Sequence, residues 1–358
     1  MRRELCDTGV RALPARCVCV YWLLPRRAGL LWLLIASFVF YASWNPIYVP
    51  GFLLWIGANF GLGLMAAGSH RRLAVALAVV LDLGLLALFK YADWALGTSW
   101  SVLSWLTGSG MSYSPLGLVL PLAISFVTFT MLAYIFDTFR GAQPERNLFR
   151  FSLFITFFPH LIAGPIMRGR ELLPQLRHPR RFSVLHLRVA APMLVSGLIK
   201  KTMGDALAPS VQRVFGDPAA HSTLALWLGA LAFAFQIFLD FSGYTDLALG
   251  SATLLGFHLP ANFNWPYRSL SIRDFWRRWH MTLSRWLRDY LYIPLGGSRH
   301  GRARTYLALM VTMVLGGLWH GAGLTFLVWG TWHGVGLAVN RWNSERADRR
   351  IVLPTPVA

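Results

Sequence analysis

The sequence predicts an all-α polytopic membrane protein, a helical bundle with re-entrant segments around a central funnel or tunnel. The chain has 358 residues, of which 55% are hydrophobic and 14% are charged, whereas about 25% of the residues of a soluble domain are charged. The mean hydropathy is +0.48. Several apolar runs approach the roughly 20 residues with which a helix crosses a bilayer. They lie at residues 30–48, 52–67, 73–89, 116–136 and 224–241.

The basic residues predict the orientation of these helices. The formal net charge is +19, but the basic residues lie in short loops between the apolar runs and form no nucleic-acid-binding motif, so nucleic acid is not an expected partner. Residues 97–115 carry no charge. By the positive-inside rule, the basic loops face the cytoplasm and the uncharged segment faces outward.

Apolar runs bounded by proline, glycine or basic residues predict six helices. In chain order these are residues 30–48, 52–67, 73–96, 116–139, 185–203 and 224–249. The first two form a hairpin that turns at Asn45-Pro46, and the fifth ends with Lys200-Lys201.

Residues 149–176 predict a re-entrant segment. The segment is basic at both ends and is interrupted by Pro159 and by Gly164-Pro165. Because both of its ends face the cytoplasm, it cannot cross the membrane once. Non-helical backbone at membrane depth is tolerated only where protein or a water-filled cavity surrounds it, which implies a funnel. We expect His160 to form a hydrogen bond at the helix break.

Residues 271–292 predict an amphipathic helix at the cytoplasmic interface. Its apolar side chains recur at i, i+3, i+4 and i+7, and its arginines occupy the opposite face. His280 lies at the border of the apolar face. It is either a partner in a functional site or an interfacial side chain with its polar tip in water.

Two apolar pieces, residues 306–319 and 324–339, predict a second hairpin because basic residues bracket the pair. The first piece is too short to span the bilayer, so His320 at its end is expected inside the membrane. Ionisable groups there are costly and mark function. Desolvation favours the neutral imidazole, which can act as a general base. We expect His333 to be structural and to form a hydrogen bond across helices.

Other polar features of the sequence indicate structure or weak binding. Four glycines around His320 serve helix packing, substrate access or both: Gly316, Gly317, Gly321 and Gly323. Asp240 and Asp246 interrupt an apolar helix and are expected to pair with nearby arginines. The loop that ends in Ser298-Arg299 can present backbone N–H groups and an arginine to a phosphate, but it is not a P-loop.

The cysteines exclude several kinds of site from the body of the chain. Cys6, Cys17 and Cys19 all lie in the N-terminal tail. The membrane domain therefore contains no disulfide framework, zinc cluster or catalytic thiol, and no metal is expected.

The chain resembles the membrane-bound O-acyltransferase family through four stretches, and is most similar to the bacterial branch that contains the membrane subunit of alginate O-acetylation. These stretches are FFPHLIAGPIMR (157–168), DFSGYTDLALG (240–250), NFNWPYRSLSIRDFWRRWHMTLSRWLRDYLYIPLGG (262–297) and GGLWHGAGLTFLVWGTWHG (316–334). By this resemblance, His320 matches the catalytic intramembrane histidine and His280 the second motif histidine.

The resemblance implies transfer of an acetyl or other acyl group from a cytoplasmic thioester donor, acetyl-CoA or an acylated carrier, across the bacterial inner membrane. The acceptor is an exopolysaccharide, with alginate or an alginate-like polymer as the leading choice. A periplasmic esterase-like acetyltransferase and a polysaccharide assembly complex are the implied partners, and no cofactor is bound. Candidate substrate- or donor-binding residues are Trp279, Trp319, Gly321, Asp240 and Arg299.

The expected organisation is a tail or degenerate first helix at residues 1–27, one membrane domain at residues 28–342 and a C-terminal tail at residues 343–358. The chain is expected to be truncated relative to its family, whose members carry further helices. Two other functions remain open. A transporter or channel would use the histidine as a proton relay, and a scaffold would recruit a secretion complex through its basic face.

Overall fold

The computed structural model describes residues 17–110, 112–178 and 182–350, with side chains described to residue 346. Within these residues the secondary structure is helical and contains no strand, as the sequence predicts. The helices are α1 (Arg26–Ala42), α2 (Val49–Ala66), α3 (Arg71–Leu86), α4 (Ala92–Thr107), α5 (Ile124–Phe139), α6 (Leu148–Thr156), α7 (Phe158–Leu161), α8 (Gly169–Arg177), α9 (Val184–Gly216), α10 (Thr223–Leu254), α11 (Ile272–Arg278), α12 (Met281–Leu287), α13 (Arg302–His320) and α14 (Leu324–Arg350).

The chain divides into two compact units. The first comprises Met1–Ala78 and Phe126–Asn262, and the second comprises Val79–Ser125 and Phe263–Ala358. A single membrane domain over residues 28–342 stays a prediction. Within the predicted tail, residues 17–23 are helical, and residues 1–16 lie outside the described part of the chain.

In the part of the chain that the structure describes, three helical stretches are long and apolar enough to cross a membrane: Pro46–Ala66, Arg71–Thr107 and Thr223–Leu254. The predicted turn between α1 and α2 is confirmed, and the side chain of Asn45 accepts a hydrogen bond from the Ile47 N–H there. These spans agree with the apolar composition from which a membrane protein was predicted.

The predicted boundaries of the third and fourth helices are wrong. The helix from Arg71 continues through a π-helical turn, Ala87–Tyr91, and ends at Thr107 rather than at residue 96. The next helix, α5, begins only at Ile124. The segment before α5 is irregular because prolines interrupt it and because the Asp93 carboxylate accepts hydrogen bonds from the Tyr113 hydroxyl and the Leu116 N–H.

The predicted break in residues 149–176 is confirmed. Helix α6 ends at Thr156, and the short α7 and α8 follow. His160 is buried, and its Nε2 lies 3.2 Å from the carbonyl oxygen of Phe154, so the expected hydrogen bond at the break is present. Almost all residues from Phe151 to Gly169 are buried, as irregular backbone in a membrane protein requires.

Helix α9 does not end at the two lysines. It continues to Gly216 and packs along α10 as a long hairpin. The close approach of these helices depends on glycine, because a Cβ atom at Gly197 would lie 2.8 Å from the carbonyl oxygen of Gly243. The lysines remain inside the helix because two aspartates of the facing helix are their counter-ions.

The amphipathic segment is two helices rather than one. Helix α11 ends at Arg278, and Trp279 is extended. His280 adopts the left-handed backbone conformation, with φ of 41°, before α12 begins. Since a left-handed residue cannot continue a right-handed helix, the chain changes direction at the histidine.

Candidate active site

The α13–α14 hairpin places His320 at the C-terminal end of α13. The two helices approach closely, because a Cβ atom at Gly317 would lie 2.3 Å from the carbonyl oxygen of Phe326 and one at Gly330 would lie 2.5 Å from that of Met313. Gly317 therefore serves helix packing. The predicted hairpin is confirmed, although its second helix continues to Arg350.

The ring of His320 lies between two indoles. Its centroid is 5.0 Å from that of Trp319 and 5.0 Å from that of Trp329, and both contacts are edge-on. The residue is nevertheless exposed, so it is less enclosed than the sequence predicts. Among the described residues, no group forms a hydrogen bond with its ring. Both imidazole nitrogens are therefore available to a substrate.

His280 is buried beside the same tryptophan. Only 1% of its surface is exposed, and its ring centroid lies 6.0 Å from that of Trp319. The rings of both histidines therefore contact the indole of Trp319. The alternative of an interfacial side chain with its tip in water is wrong, because the left-handed turn at His280 directs the side chain into the core of the second unit.

Lys90 is a residue of this site that the sequence analysis did not single out. It lies in the π-helical turn Ala87–Tyr91, and its ammonium donates hydrogen bonds to the carbonyl oxygen of Trp319 and to the hydroxyl of Ser125. The neighbouring Tyr91 hydroxyl donates to the carbonyl oxygen of Leu318, at 2.6 Å. The last carbonyls of a helix lack partners within it, so this pair of side chains caps α13 next to His320.

A signal for Lys90 was present in the sequence. It is the one lysine of residues 73–107, a largely apolar stretch whose other charged residues are Asp82 and Asp93, and an ionisable residue inside a membrane segment is a functional candidate by default. The structure gives a second indication, because Lys90 lies in a π-helical turn and such turns occur frequently at functional sites.

The three predicted binding residues around the histidines have separate environments. Trp319 is buried, and its indole N–H donates to the carbonyl oxygen of Ser125 at 3.4 Å. Trp279 stacks on Phe275 with ring centroids 5.5 Å apart. Gly321 follows α13 directly, and a Cβ atom there would collide with the ring of Phe326. Trp319 and Gly321 therefore lie next to His320 in the chain and in the hairpin.

His333 packs against rings instead of forming the expected hydrogen bond. Its ring centroid lies 4.5 Å from that of Trp329 and 5.3 Å from that of Trp276. In the described part of the chain, its buried Nδ1 has no hydrogen-bond partner. The prediction of a bond across helices is therefore wrong, whereas its packing agrees with a structural role.

A basic cavity of about 690 Å³ lies in the same unit. Its charged lining residues are Arg273, Arg277, Arg285, Arg288, Arg341 and Glu345. The indole of Trp276 also lines it and contacts Trp329, whose ring in turn contacts His320. A chain of aromatic contacts therefore joins the cavity to the histidine.

Arg299 is exposed in the loop beside this cavity, where its neighbour Ser298 forms part of the lining. The loop depends on glycine, since Gly296 and Gly297 have φ of 118° and 53°. Phosphate binding by Arg299 stays a prediction.

The structure places Asp240 and Asp246 in ion pairs of the first unit. Asp240 pairs with Lys201, and Asp246 pairs with Lys200 at 2.6 Å. The expectation of structural pairing is confirmed, but the partners are lysines of α9 rather than arginines. A role of Asp240 in donor binding stays a prediction, and its contacts indicate a structural one.

Comparison with known proteins identifies the family. The model of the MBOAT, or membrane-bound O-acyltransferase, family matches residues 145–344. The chain belongs to the membrane-bound O-acyltransferase family. This match includes both histidines of the site, all of the cavity lining except Glu345, and the α13–α14 hairpin up to residue 344.

Several curated relatives of this chain carry related names. The chain is 44% identical over 321 residues to the "Probable alginate O-acetylase AlgI" of Azotobacter vinelandii, covering 87% of this chain and 63% of the relative. It is 37% identical over 343 residues to the peptidoglycan O-acetyltransferase of Helicobacter pylori, covering 87% and 64%. It is 29% identical over 230 residues to the teichoic acid D-alanyltransferase of Bacillus subtilis, covering 61% and 58%. The chain thus spans less than two thirds of the length of these relatives.

Proposed function

We propose that this protein transfers an acetyl or related acyl group from a cytoplasmic thioester donor across the inner membrane for O-acetylation of an exopolysaccharide. The exposed ring of His320, which forms no hydrogen bond with any described residue and lies at the capped end of α13, carries this proposal. Family membership and the names of the relatives support the acyl-transfer chemistry.

His320 acts as the general base. Its free ring nitrogen accepts the proton of the acceptor hydroxyl as the hydroxyl oxygen attacks the thioester carbonyl. The carbon–sulfur bond of the tetrahedral intermediate then breaks, and the imidazolium returns its proton to the departing thiolate. This direct transfer requires no cysteine nucleophile, and none occurs after residue 19. His280, Trp279 and the backbone amides near Gly321 are the candidate donors to the oxyanion.

The basic cavity is our candidate for the charged part of the donor. In the described part of the chain, Arg273 and Arg277 form no ion pair, so their guanidinium groups are available to phosphate oxygens. The contact of Trp276 with Trp329 links the cavity to His320. Coenzyme A and the prosthetic group of an acyl carrier both bear phosphate, and both therefore fit.

The relatives support the choice of acceptor. Those named as probable alginate O-acetylases make alginate or an alginate-like polymer the leading acceptor. We propose that a periplasmic esterase-like acetyltransferase completes the transfer within a polysaccharide assembly complex. The basic loops then face the cytoplasm, where the donor is found.

The test uses an alginate-producing bacterium that lacks its own alginate O-acetylase membrane subunit. Expression of this chain, extended if necessary by the relative's remaining segment, is expected to restore acetyl groups on secreted alginate, measured after alkaline release. His320→Ala is expected to lower acetylation by about two to four orders of magnitude. His333→Ala is the matched control, because it removes an imidazole from the same hairpin and is expected to retain activity within a few-fold.

Membrane levels of each variant are measured by immunoblot. Wild-type acetylation by His320→Ala at equal protein levels would contradict the catalytic assignment. Ion or solute flux in liposomes without any acyl donor, lost in the same variant, would indicate a transporter instead.

A further inference from the structure

A second basic cavity lies in the first unit, which contains none of the histidine site. Its volume is about 740 Å³. It is lined by the start of α1, the start of α6 and the end of α8. Its charged lining residues are Arg26, Arg27, Arg150, Arg177 and His178.

The cavity carries an excess of positive charge. The buried carboxylate of Glu145 forms one pair with Arg150 and one with Arg177, each at 2.9 Å. Each of these arginines uses Nε and Nη2 for the carboxylate and retains its Nη1 amino group. Within the described residues, Arg27 has no ion pair at all. Glu145 therefore neutralises one charge of the Arg150–Arg177 pair, and the donors of Arg27 and the Nη1 groups of Arg150 and Arg177 remain for another anion.

The cavity continues into an apolar surface along α1. Leu30 and Leu31 line the cavity below the arginines. Leu31, Ile35 and Val39 follow Arg27 at intervals of four residues, so the four side chains share one face of the helix. The three apolar residues are 49%, 47% and 50% exposed. The cationic cavity is thus continuous with an exposed apolar surface that suits the acyl chains of a lipid.

We propose that this cavity binds the headgroup phosphate of an anionic phospholipid whose acyl chains lie along the Leu31–Ile35–Val39 face of α1. Guanidinium groups bind phosphate oxygens in pairs of parallel hydrogen bonds, and basic pockets beside membrane helices bind anionic headgroups. A small soluble anion would use the arginines but gain nothing from the apolar face. The combined chemistry favours a lipid.

The test measures lipid retention by the purified full chain in detergent, using native mass spectrometry. The probes are phosphatidylglycerol, phosphatidylcholine with the same chains, and inorganic phosphate. Arg26→Gln with Arg27→Gln removes two charges from the cavity. The matched control, Arg71→Gln with Arg72→Gln, removes two charges from the start of another apolar helix that lies outside the cavity lining.

We expect the wild type and the control to retain phosphatidylglycerol in preference to phosphatidylcholine. The cavity variant is expected to bind phosphatidylglycerol about 30-fold more weakly, since each arginine near a membrane surface contributes about five-fold. Leu31→Gln with Ile35→Gln is expected to weaken the binding of phosphatidylglycerol. The binding of inorganic phosphate by this variant is expected to equal that of the wild type. Melting temperatures in phosphatidylcholine alone confirm folding, and Arg27→Gln alone replaces the double variant if that variant does not fold.

Equal retention of phosphatidylglycerol by the cavity variant and the wild type would overturn the proposal. Displacement of bound lipid by millimolar inorganic phosphate would also overturn it, because the site would then recognise a small anion.

Discussion

Two long helical hairpins of this protein differ in whether their polar side chains have partners within the hairpin. In the α9–α10 hairpin, Lys200 and Lys201 are paired with Asp246 and Asp240 from the facing helix. In the α13–α14 hairpin, the ring of His320 has no hydrogen-bond partner in the described part of the chain and contacts tryptophans instead. A polar group that its own hairpin satisfies contributes to structure, whereas one left unsatisfied at an exposed helix end is available for chemistry.

Glycine residues allow the backbones of the two helices to approach closely in both hairpins. Gly197 and Gly243 permit close approach in the first hairpin, as Gly317 and Gly330 do in the second. The difference between the hairpins therefore lies in the side chains rather than in the way the helices meet. Three substitutions test this comparison, and a fourth concerns a buried carboxylate outside both hairpins.

The largest effect is expected from Lys90→Met. Loss of the ammonium removes the donor to the Trp319 carbonyl and allows the end of α13 to shift, and a displacement of about 1 Å at a catalytic group can lower the rate about 100-fold. The decrease should appear in kcat more than in KM, and Lys90→Arg should restore part of it. Lys200→Met is the control, because its ammonium belongs to the hairpin whose charges are paired.

An unchanged kcat in correctly folded Lys90→Met would contradict this positioning role. Equal losses in Lys90→Met and Lys200→Met would indicate a general effect of removing a lysine.

Gly317→Val is expected to lower the free energy of unfolding by about 3 kcal/mol, because its Cβ atom would overlap the backbone carbonyl of Phe326 and force the helices apart. Gly323→Ala is the matched control, since a Cβ atom there meets its nearest neighbour at an ordinary 3.6 Å. Thermal unfolding in nanodiscs, followed by tryptophan fluorescence, measures both. Similar melting temperatures for the two variants would show that the hairpin tolerates separation.

Lys201→Met is expected to cost about 1 kcal/mol, because the pairs that it breaks with Asp240 and Asp205 are partly exposed and water screens the remaining charges. Adding Asp240→Asn should recover part of this loss, since the double variant leaves no unpaired carboxylate at position 240. When folded, both the single variant and the double variant should keep the acetylation activity of the wild type. A large loss of activity in the folded double variant would instead favour a role of Asp240 in donor binding.

The smallest expected effect is a pH dependence of the folding stability that arises from the carboxyl group of Glu145. Burial raises the pKa of this carboxyl, but hydrogen bonds from Arg150, the Asn147 N–H and Arg177 outweigh burial and hold the pKa below its ordinary value. The folded state therefore favours the carboxylate. The resulting stabilisation is complete above the unfolded pKa of about 4.3 and is lost as the pH falls through the lower folded value.

Melting temperatures of the wild type and Glu145→Gln should accordingly differ at pH 7 and converge below pH 4. A difference that stays constant over this range would show that the ion pairs contribute nothing to the pH dependence.

Local patterns allowed much of the fold and part of the site to be predicted. Pro159 and Gly164-Pro165 break a helix wherever they occur, and the structure has the break. The hairpin that carries His320 followed from two apolar pieces between basic segments. In contrast, the helix end predicted at Lys200-Lys201 was wrong, because the aspartates that keep these lysines within a helix lie about 40 residues further along the chain.

The sequence by itself determined the composition of a membrane protein, the positions of most helices, the family motifs and the histidine at the tip of a hairpin. Only the tertiary structure decided that Lys90 caps the helix of His320 from 229 residues away and that Trp319 lies between His320 and the buried His280. Helix periodicity and breaking residues act over a few neighbouring positions, so the sequence displays them directly. Contacts between distant side chains depend on how the helices pack, and no local pattern records that packing.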